Sequence, residues 1–270
     1  LAVGGSGLMI YFYFYETNRN ERFFMPLKIN VPYREKDFAK SKGAFWDAEQ
    51  KTWFVPDHKD INDFLQWIDT RKVSILLKSP FFIAVNKRQC YNCSAFTTVI
   101  ALASDNLYYL DYDDNGNEKW FRQDYFSFFS MPVFINDEVT AILNKLFPQY
   151  KMGYSKTAGE YWANHCEHCG ALQGDFYLHC ESGGAFFPIE TEDCKHITLL
   201  PIPTQFDVEL NTGISWASNA DEILDYANTL GVEEFLRHSD NKTSLTAINQ
   251  PKGKPSWICI IFTKIKAFFT

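Results

Sequence analysis

The stretch LKINVPYREKDFAKSKGAFWDAEQKTWFVP, residues 27–56, decides the architecture of the first organised unit. Positions 27–31 alternate apolar and polar side chains, the period-two pattern of a strand with one buried face. Pro32 ends that strand because it offers no N–H to a ladder. Residues 34–41 read as a short helix with Phe38 and Ala39 turned inward. Gly43 supplies its stop, since glycine takes a positive φ at little steric cost. Residues 45–47 and 52–55 predict two strands around the polar turn 48–51. Beyond them, Ile61, Phe64, Leu65 and Ile68 recur at i, i+3, i+4 and i+7, predicting a second helix over 60–68. Residues 26–72 therefore read as a small β-α-β-β-α module.

Within this stretch, Val31, Pro32, Tyr33, Glu35, Lys36, Asp37, Ala39, Lys40, Gly43, Ala44, Trp46, Asp47, Lys51, Trp53, Val55 and Pro56 form a dense pattern. It resembles a small bacterial domain of unknown function that also occurs in plasmid conjugation primases and in many short uncharacterised proteins. The resemblance implies a module rather than a polymerase, and no primase catalytic motif occurs elsewhere in the chain. That family more usually carries Arg between Gly-Ala and Trp, where this chain has Phe45, so one cation of the family pattern is missing.

Outward from the module, composition sets the class. The 270 residues are 46% hydrophobic and 22% charged, enough for a packed core, which excludes disorder, collagen and coiled coil for the whole chain. With 25 Phe, 14 Tyr and 7 Trp, the chain favours strands over long helices. A formal net charge of −7 argues against a generally basic nucleic-acid binder and leaves a local basic patch as the alternative. The run 8–15 holds only eight apolar or aromatic residues and 257–262 fewer, whereas a membrane span needs about 20. Neither has the flanks of a secretion signal, so a cytoplasmic protein without membrane contact is expected. Residues 1–24, with Gly4-Gly5-Ser6-Gly7, read as a linker, tag or non-native extension; an extra edge strand over 10–15 is the other reading. Residues 251–270 read as a C-terminal tail.

Residues 73–250 read as β-rich. Strands are expected at 82–87 and 97–103, and a hairpin of 107–112 and 119–125 around Asn115-Gly116. Asn136 should cap a helix over 137–147. Two C-x-x-C pairs organise this region: Cys90-Tyr91-Asn92-Cys93 and Cys166-Glu167-His168-Cys169. Two residues between thiols let a tight turn aim both sulfurs at one ion, and two such knuckles make the four-sulfur set that Zn²⁺ prefers. The 72 residues between the pairs exceed ordinary ribbon spacing, so a zinc-ribbon-like domain with an inserted hairpin and helix is expected. The fold class is thus α+β. Redox and disulfide readings compete, as do His165 or His168 as substitute ligands and a second site from His179, Cys180, Cys194 and His196. Four thiolates would close the coordination shell and leave the zinc structural.

Other motifs are weaker. Asp111 to Asn117 opens like a calcium loop, but Arg122 falls where a bidentate Glu is needed, which favours an Asn-Gly hairpin. Asp175, Glu181, Glu190, Glu192 and Asp193 could gather around Mg²⁺ or simply be solvated. No phosphate loop, H-E-x-x-H or nucleophile elbow is present. Arg34, Lys36, Lys40 and Lys42 lie near Trp46 and Trp53, a mixture suited to single-stranded nucleic acid; the favoured reading makes Trp46, Trp53 and Trp67 the core and leaves the lysine face available for either role. The expectation is a non-enzymatic, zinc-stabilised binding protein, with nucleic acid as first partner. A metal-dependent nuclease and a protein-protein interaction module are the alternatives.

Overall fold

The computed structural model describes residues 27–215 and 220–240, and strands dominate the first of these segments. The readings of residues 1–24, of a strand at 10–15 and of the tail 251–270 lie outside the described residues. The first unit runs β1 (Leu27–Ile29), a 3-10 turn (Tyr33–Glu35), α1 (Lys36–Lys42), β2 (Phe45–Asp47), β3 (Thr52–Val55) and a 3-10 helix (Ile61–Trp67). Then come β4 (Ile75–Leu77), β5 (Phe81–Gln89), β6 (Phe96–Ser104), β7 (Leu107–Tyr112), β8 (Glu118–Gln123), β9 (Ser127–Ile135) and α2 (Asp137–Leu146). The chain continues through β10 (Tyr150–Ser155), β11 (Gly159–His165), β12 (Leu172–Gln173), α3 (Asp175–His179) and α4 (Thr191–Cys194). It closes with β13 (Thr198–Ile202), β14 (Val208–Ser215), α5 (Ala220–Tyr226), β15 (Asn228–Thr229) and α6 (Val232–Asp240). The class is α+β, as the sequence predicts.

Three sheets result. The first unit orders its strands β1-β3-β2, the knuckle region orders β10-β11-β12, and a nine-stranded sheet runs β15-β13-β5-β6-β9-β14-β4-β7-β8. The hairpin expected between the cysteine pairs is present as β7–β8, but its strands continue the large sheet rather than forming a separate insertion. Asp113 fixes its turn by accepting the backbone N–H groups of Asn115 and Asn117, both at 2.9 Å, with Gly116 at φ 78°. Alternation along each strand sends Ile83, Ile100 and Leu200 to one face, where Val139 and Leu143 of α2 and Val232 of α6 cover them. Ala84, Ala101 and Leu199 face the other side, under Leu178, Phe186 and Ile223.

The first unit covers the remainder of that second face. Its core of Leu27, Ile29, Ala39, Trp53, Phe64 and Trp67 runs without a break into Leu76 of β4 and Trp120 of β8. Phe54 stacks on Phe206 at 5.1 Å, and Lys78 bridges Asp57 of the unit to buried Asp207 at 2.6 and 2.7 Å. Asn62 adds a strand-like contact, accepting from the Trp120 N–H at 2.8 Å and donating to the Trp120 carbonyl at 3.1 Å.

Three expectations for this unit are corrected. Residues 61–67 form a 3-10 helix, capped by the Asp60 carboxylate on the Asn62 N–H at 2.9 Å. Three residues per turn align Ile61, Phe64 and Trp67 on the buried side, in place of the 3.6-residue stripe. Phe38 is 51% exposed, because the small Ala39 lets α1 approach the strands and Phe38 lies edge-on over Trp67 from outside. Trp46 is 47% exposed, since β2 is an edge strand and the central β3 takes the burial through Trp53.

Candidate metal centre

Each cysteine pair occupies a turn between antiparallel strands. Cys90 and Cys93 join β5 to β6, and Cys166 and Cys169 join β11 to β12. The two turns repeat one hydrogen-bond pattern. Cys90 N–H donates to the Ala95 carbonyl and Cys166 N–H to the Ala171 carbonyl, both at 2.8 Å. Ser94 and Gly170 then donate back to the Cys90 and Cys166 carbonyls, both at 2.9 Å. These two residues have φ of 61° and 72°, so the turn requires a left-handed residue just after its second cysteine.

The turns face each other across a small space. Cys90 and Cys169 sulfurs are 3.7 Å apart, Cys93 and Cys166 sulfurs also 3.7 Å, and all four lie within 4.8 Å of one another. A bonded disulfide would be near 2.05 Å, so the sulfurs are separate. Ion–sulfur bonds of about 2.3 Å in a tetrahedron place the sulfurs about 3.8 Å apart, close to what is found. The four cysteines are near enough to hold one metal ion.

Surrounding N–H donors point at three of these sulfurs. Gln173 Nε2 points at Cys90 Sγ and the His168 N–H at Cys166 Sγ, both at 3.4 Å, while Asn92 Nδ2 reaches Cys169 Sγ at 3.6 Å. Burial alone would push the Cys90 thiol up, but the N–H groups of Cys93 and Asn92 and the sulfurs of Cys166 and Cys169 bring it down to about 6. At Cys93 the Ala95 N–H favours the thiolate, yet desolvation and three nearby sulfurs outweigh it and push this thiol up to about 12. Four like-charged sulfurs cannot all ionise without a cation, which is what a metal supplies.

A second set of bonds joins the knuckles to the large sheet. Strand β6 pairs with β9 only over Leu102–Ser104, and Asn164 serves the open stretch. Its amide accepts from the Ile100 N–H at 2.7 Å and donates to the Ile100 carbonyl at 2.8 Å. Glu167 accepts from the Thr98 N–H and its own N–H donates to Thr97 Oγ1, both at 3.0 Å. Thr97, Asn164, Glu167 and Gln173 are the supporting residues that sequence spacing does not mark, because ordinary polar residues beside a turn carry no periodic signal.

The competing ligands fall elsewhere. His165 Nδ1 lies 3.0 Å from the Ala163 carbonyl, and His168 Nε2 lies 3.1 Å from the Phe96 carbonyl. His179 is buried between Phe128 and Phe186 with Nδ1 at 3.0 Å from Ser215 Oγ, and burial drops it to about 3. Among the described residues, no other group of three or more His, Cys, Asp or Glu side chains comes together. The five acids considered for Mg²⁺ each have a separate partner. Asp175 accepts from the Met131 N–H at 2.6 Å, Glu181 meets Arg88 at 3.5 Å, Glu190 and Asp193 form a capping box, and Glu192 binds Lys195 at 2.6 Å.

The four candidate nucleic-acid cations, Arg34, Lys36, Lys40 and Lys42, have different surroundings. Lys36 and Lys40 share one side of α1; Lys36 Nζ lies 4.1 Å from the Tyr33 ring centre and Lys40 Nζ 6.0 Å from that of Trp53. Lys42 lies 5.4 Å over Phe38 and 3.9 Å from Asp63, while exposed Arg34 pairs with Glu35 at 3.2 Å.

The strand order, the Gly43 stop at φ 100° and the buried Trp53 define this unit, and residues 27–69 match the family described as Domain of unknown function (DUF5710). The first unit is a DUF5710 domain. Over 39 residues the chain is 56% identical to one DNA primase TraC of Escherichia coli and 44% identical to a second. Each match covers 14% of this chain, and the chain spans only 3% and 4% of the length of these relatives. No solved structure matches the chain. No helix among the described residues is long and apolar enough to cross a membrane.

Proposed function

We propose that this chain is a non-enzymatic nucleic-acid-binding protein whose β-rich region is held by one structural zinc. The observation that carries the zinc reading is the pair of 3.7 Å sulfur contacts inside a four-thiol cluster, close to the edge of a tetrahedral Zn–thiolate site. Four protein ligands leave no open position for water, which supports a structural over a hydrolytic role. The nucleic-acid reading is supported by Lys36 and Lys40, presented beside aromatic rings on α1. It is further supported by the name DNA primase carried by the relatives of this same domain. Arg34 and Lys42 flank this pair, each already facing an acid, Glu35 and Asp63.

Elemental analysis of protein purified without added metal tests the first part, and about one Zn²⁺ per chain is expected. Fully folded, metal-free protein would refute it. A labelled single-stranded oligonucleotide tests the second part. Binding should weaken steeply as salt rises, because phosphate contacts release counterions. Charge reversal of Lys36 and Lys40 should remove it.

A further inference from the structure

Four rings on the DUF5710 domain are exposed, Phe38, Phe45, Tyr33 and Trp46, and the last two lie beside the paired lysines. Tyr33 is 82% exposed at the start of α1, and Trp46 is 47% exposed on edge strand β2. Both belong to the same surface as the paired lysines. Lys36 donates to the Tyr33 hydroxyl at 3.0 Å, and Lys40 approaches Trp53, whose ring centre is 5.7 Å from that of Trp46. One continuous stripe therefore reads Tyr33, Lys36, Lys40, Trp46, with Trp53 as the buried support beneath its far end. Leaving Trp46 half in water forfeits hydrophobic stabilisation that a purely structural tryptophan would gain. The ring is nonetheless held, tilted by 58° against Trp53.

We infer that Tyr33 and Trp46 are base-stacking platforms, with Lys36 and Lys40 meeting the phosphates between them. This rests on the nucleic-acid reading above and specifies the ligand as single-stranded, with its base faces accessible. Stacking needs an exposed π-face and is indifferent to which base supplies the other, so low sequence selectivity follows. Duplex hides the base faces and should be bound less well. Arg34 and Lys42 already face the acids Glu35 and Asp63 and are not part of the stripe.

The test compares a labelled oligothymidylate with an abasic strand of the same length, using the full chain because its first core is shared with the large sheet. Native protein should prefer the thymidylate strand. Tyr33→Ala and Trp46→Ala should each reduce thymidylate binding by about tenfold and leave abasic binding unchanged. Trp46→Phe should restore most of the loss. Tyr33 lies outside any strand and is almost fully exposed, so its variant keeps the result readable if Trp46→Ala perturbs the fold. Equal binding of both strands, still abolished by Lys36→Glu with Lys40→Glu, overturns the stacking platform and leaves the charge-based reading standing. Preference for duplex overturns the platform as well. No salt-sensitive binding of either strand overturns both, and a protein partner takes their place.

Discussion

The DUF5710 domain and the cysteine knuckles dock on the same large sheet by the same device, yet in different surroundings. In each, an asparagine side chain pairs with one strand residue as a neighbouring backbone would: Asn62 with Trp120 of β8, Asn164 with Ile100 of β6. Beneath Asn62 lies a shared apolar core of Trp67, Leu76 and Trp120. Around Asn164 strands β10 and β11 bury Tyr150 and pack Trp162 on the large core, while the turns themselves offer mainly sulfur, amide and carboxylate, a set that an ion would cross-link. A polar clamp sits in both places, beside a continuous apolar core in one and beside a four-thiol cluster in the other.

Removing a thiolate should separate the two regions most sharply. Cys166→Ser should abolish stoichiometric metal and cost about 3 kcal/mol or more, lowering the melting temperature by about 10 °C. Amide exchange should rise first in β11, β12 and the start of β6. Retained metal with an unchanged melt would contradict the contrast just described. Chelator treatment of the native protein should reproduce the pattern and spare the DUF5710 core.

The two asparagines come next. Asn164→Ala should cost about 3 kcal/mol, because Ile100 then keeps a buried N–H and carbonyl with no partner. Asn62→Ala should cost only about 1 kcal/mol, since Asn62 is half-buried and water can take its place. Chemical denaturation of both variants compares them directly; equal costs would remove the distinction between a wet seam and a dry one.

A pH-dependent contrast is smaller. Burial raises the Asp175 carboxyl to about 7 from an ordinary 3.8, against the lowering effect of the Met131 N–H. Between those values the folded chain holds a proton that the unfolded chain has released. The stability this provides is complete below about pH 4 and is lost as pH rises through 7. His179, dropped to about 3 by burial, acts oppositely and favours the folded state as pH rises towards 6.5. Relative to Asp175→Asn, the native chain should therefore lose stability across pH 4–7, with a slope approaching about 1.4 kcal/mol per unit. Parallel stability profiles for the two proteins would place the Asp175 proton elsewhere.

How much could be read in advance follows from range. Strands β2 and β3, the Gly43 stop and the Asn115-Gly116 turn depend on neighbours in sequence, and all were legible. The cysteine set was legible despite its long separation because C-x-x-C is local twice over, and two half-sites imply a meeting. Trp46 was misread because its exposure depends on β2 lying at a sheet edge, a fact of topology rather than of composition. The 3-10 geometry of 61–67 was hidden since Ile61 and Phe64 fit both periods, and only the burial of Trp67 decides between them. Asn62 and Asn164 were invisible for the same reason: their partners lie 58 and 64 residues away.

The smallest expected effect tests the internal likeness of the two knuckles. Ser94 and Gly170 hold equivalent positions, each donating to the carbonyl of the first cysteine four residues before it, at φ of 61° and 72°. A left-handed conformation costs a serine about 1 kcal/mol that glycine does not bear. The Ser94 bonds in the turn are made by its N–H to Cys90 and its carbonyl from Gln89 Nε2, so neither depends on the hydroxyl. Ser94→Gly should accordingly stabilise the metal-loaded protein, by less than about 1 kcal/mol because glycine also loosens the unfolded chain. Gly170→Ser should cost a similar amount, and the pair of changes together should nearly cancel in a thermal melt. If Ser94→Gly instead destabilises the protein, the hydroxyl has a role in the first knuckle that the second lacks, and the likeness stops at the backbone.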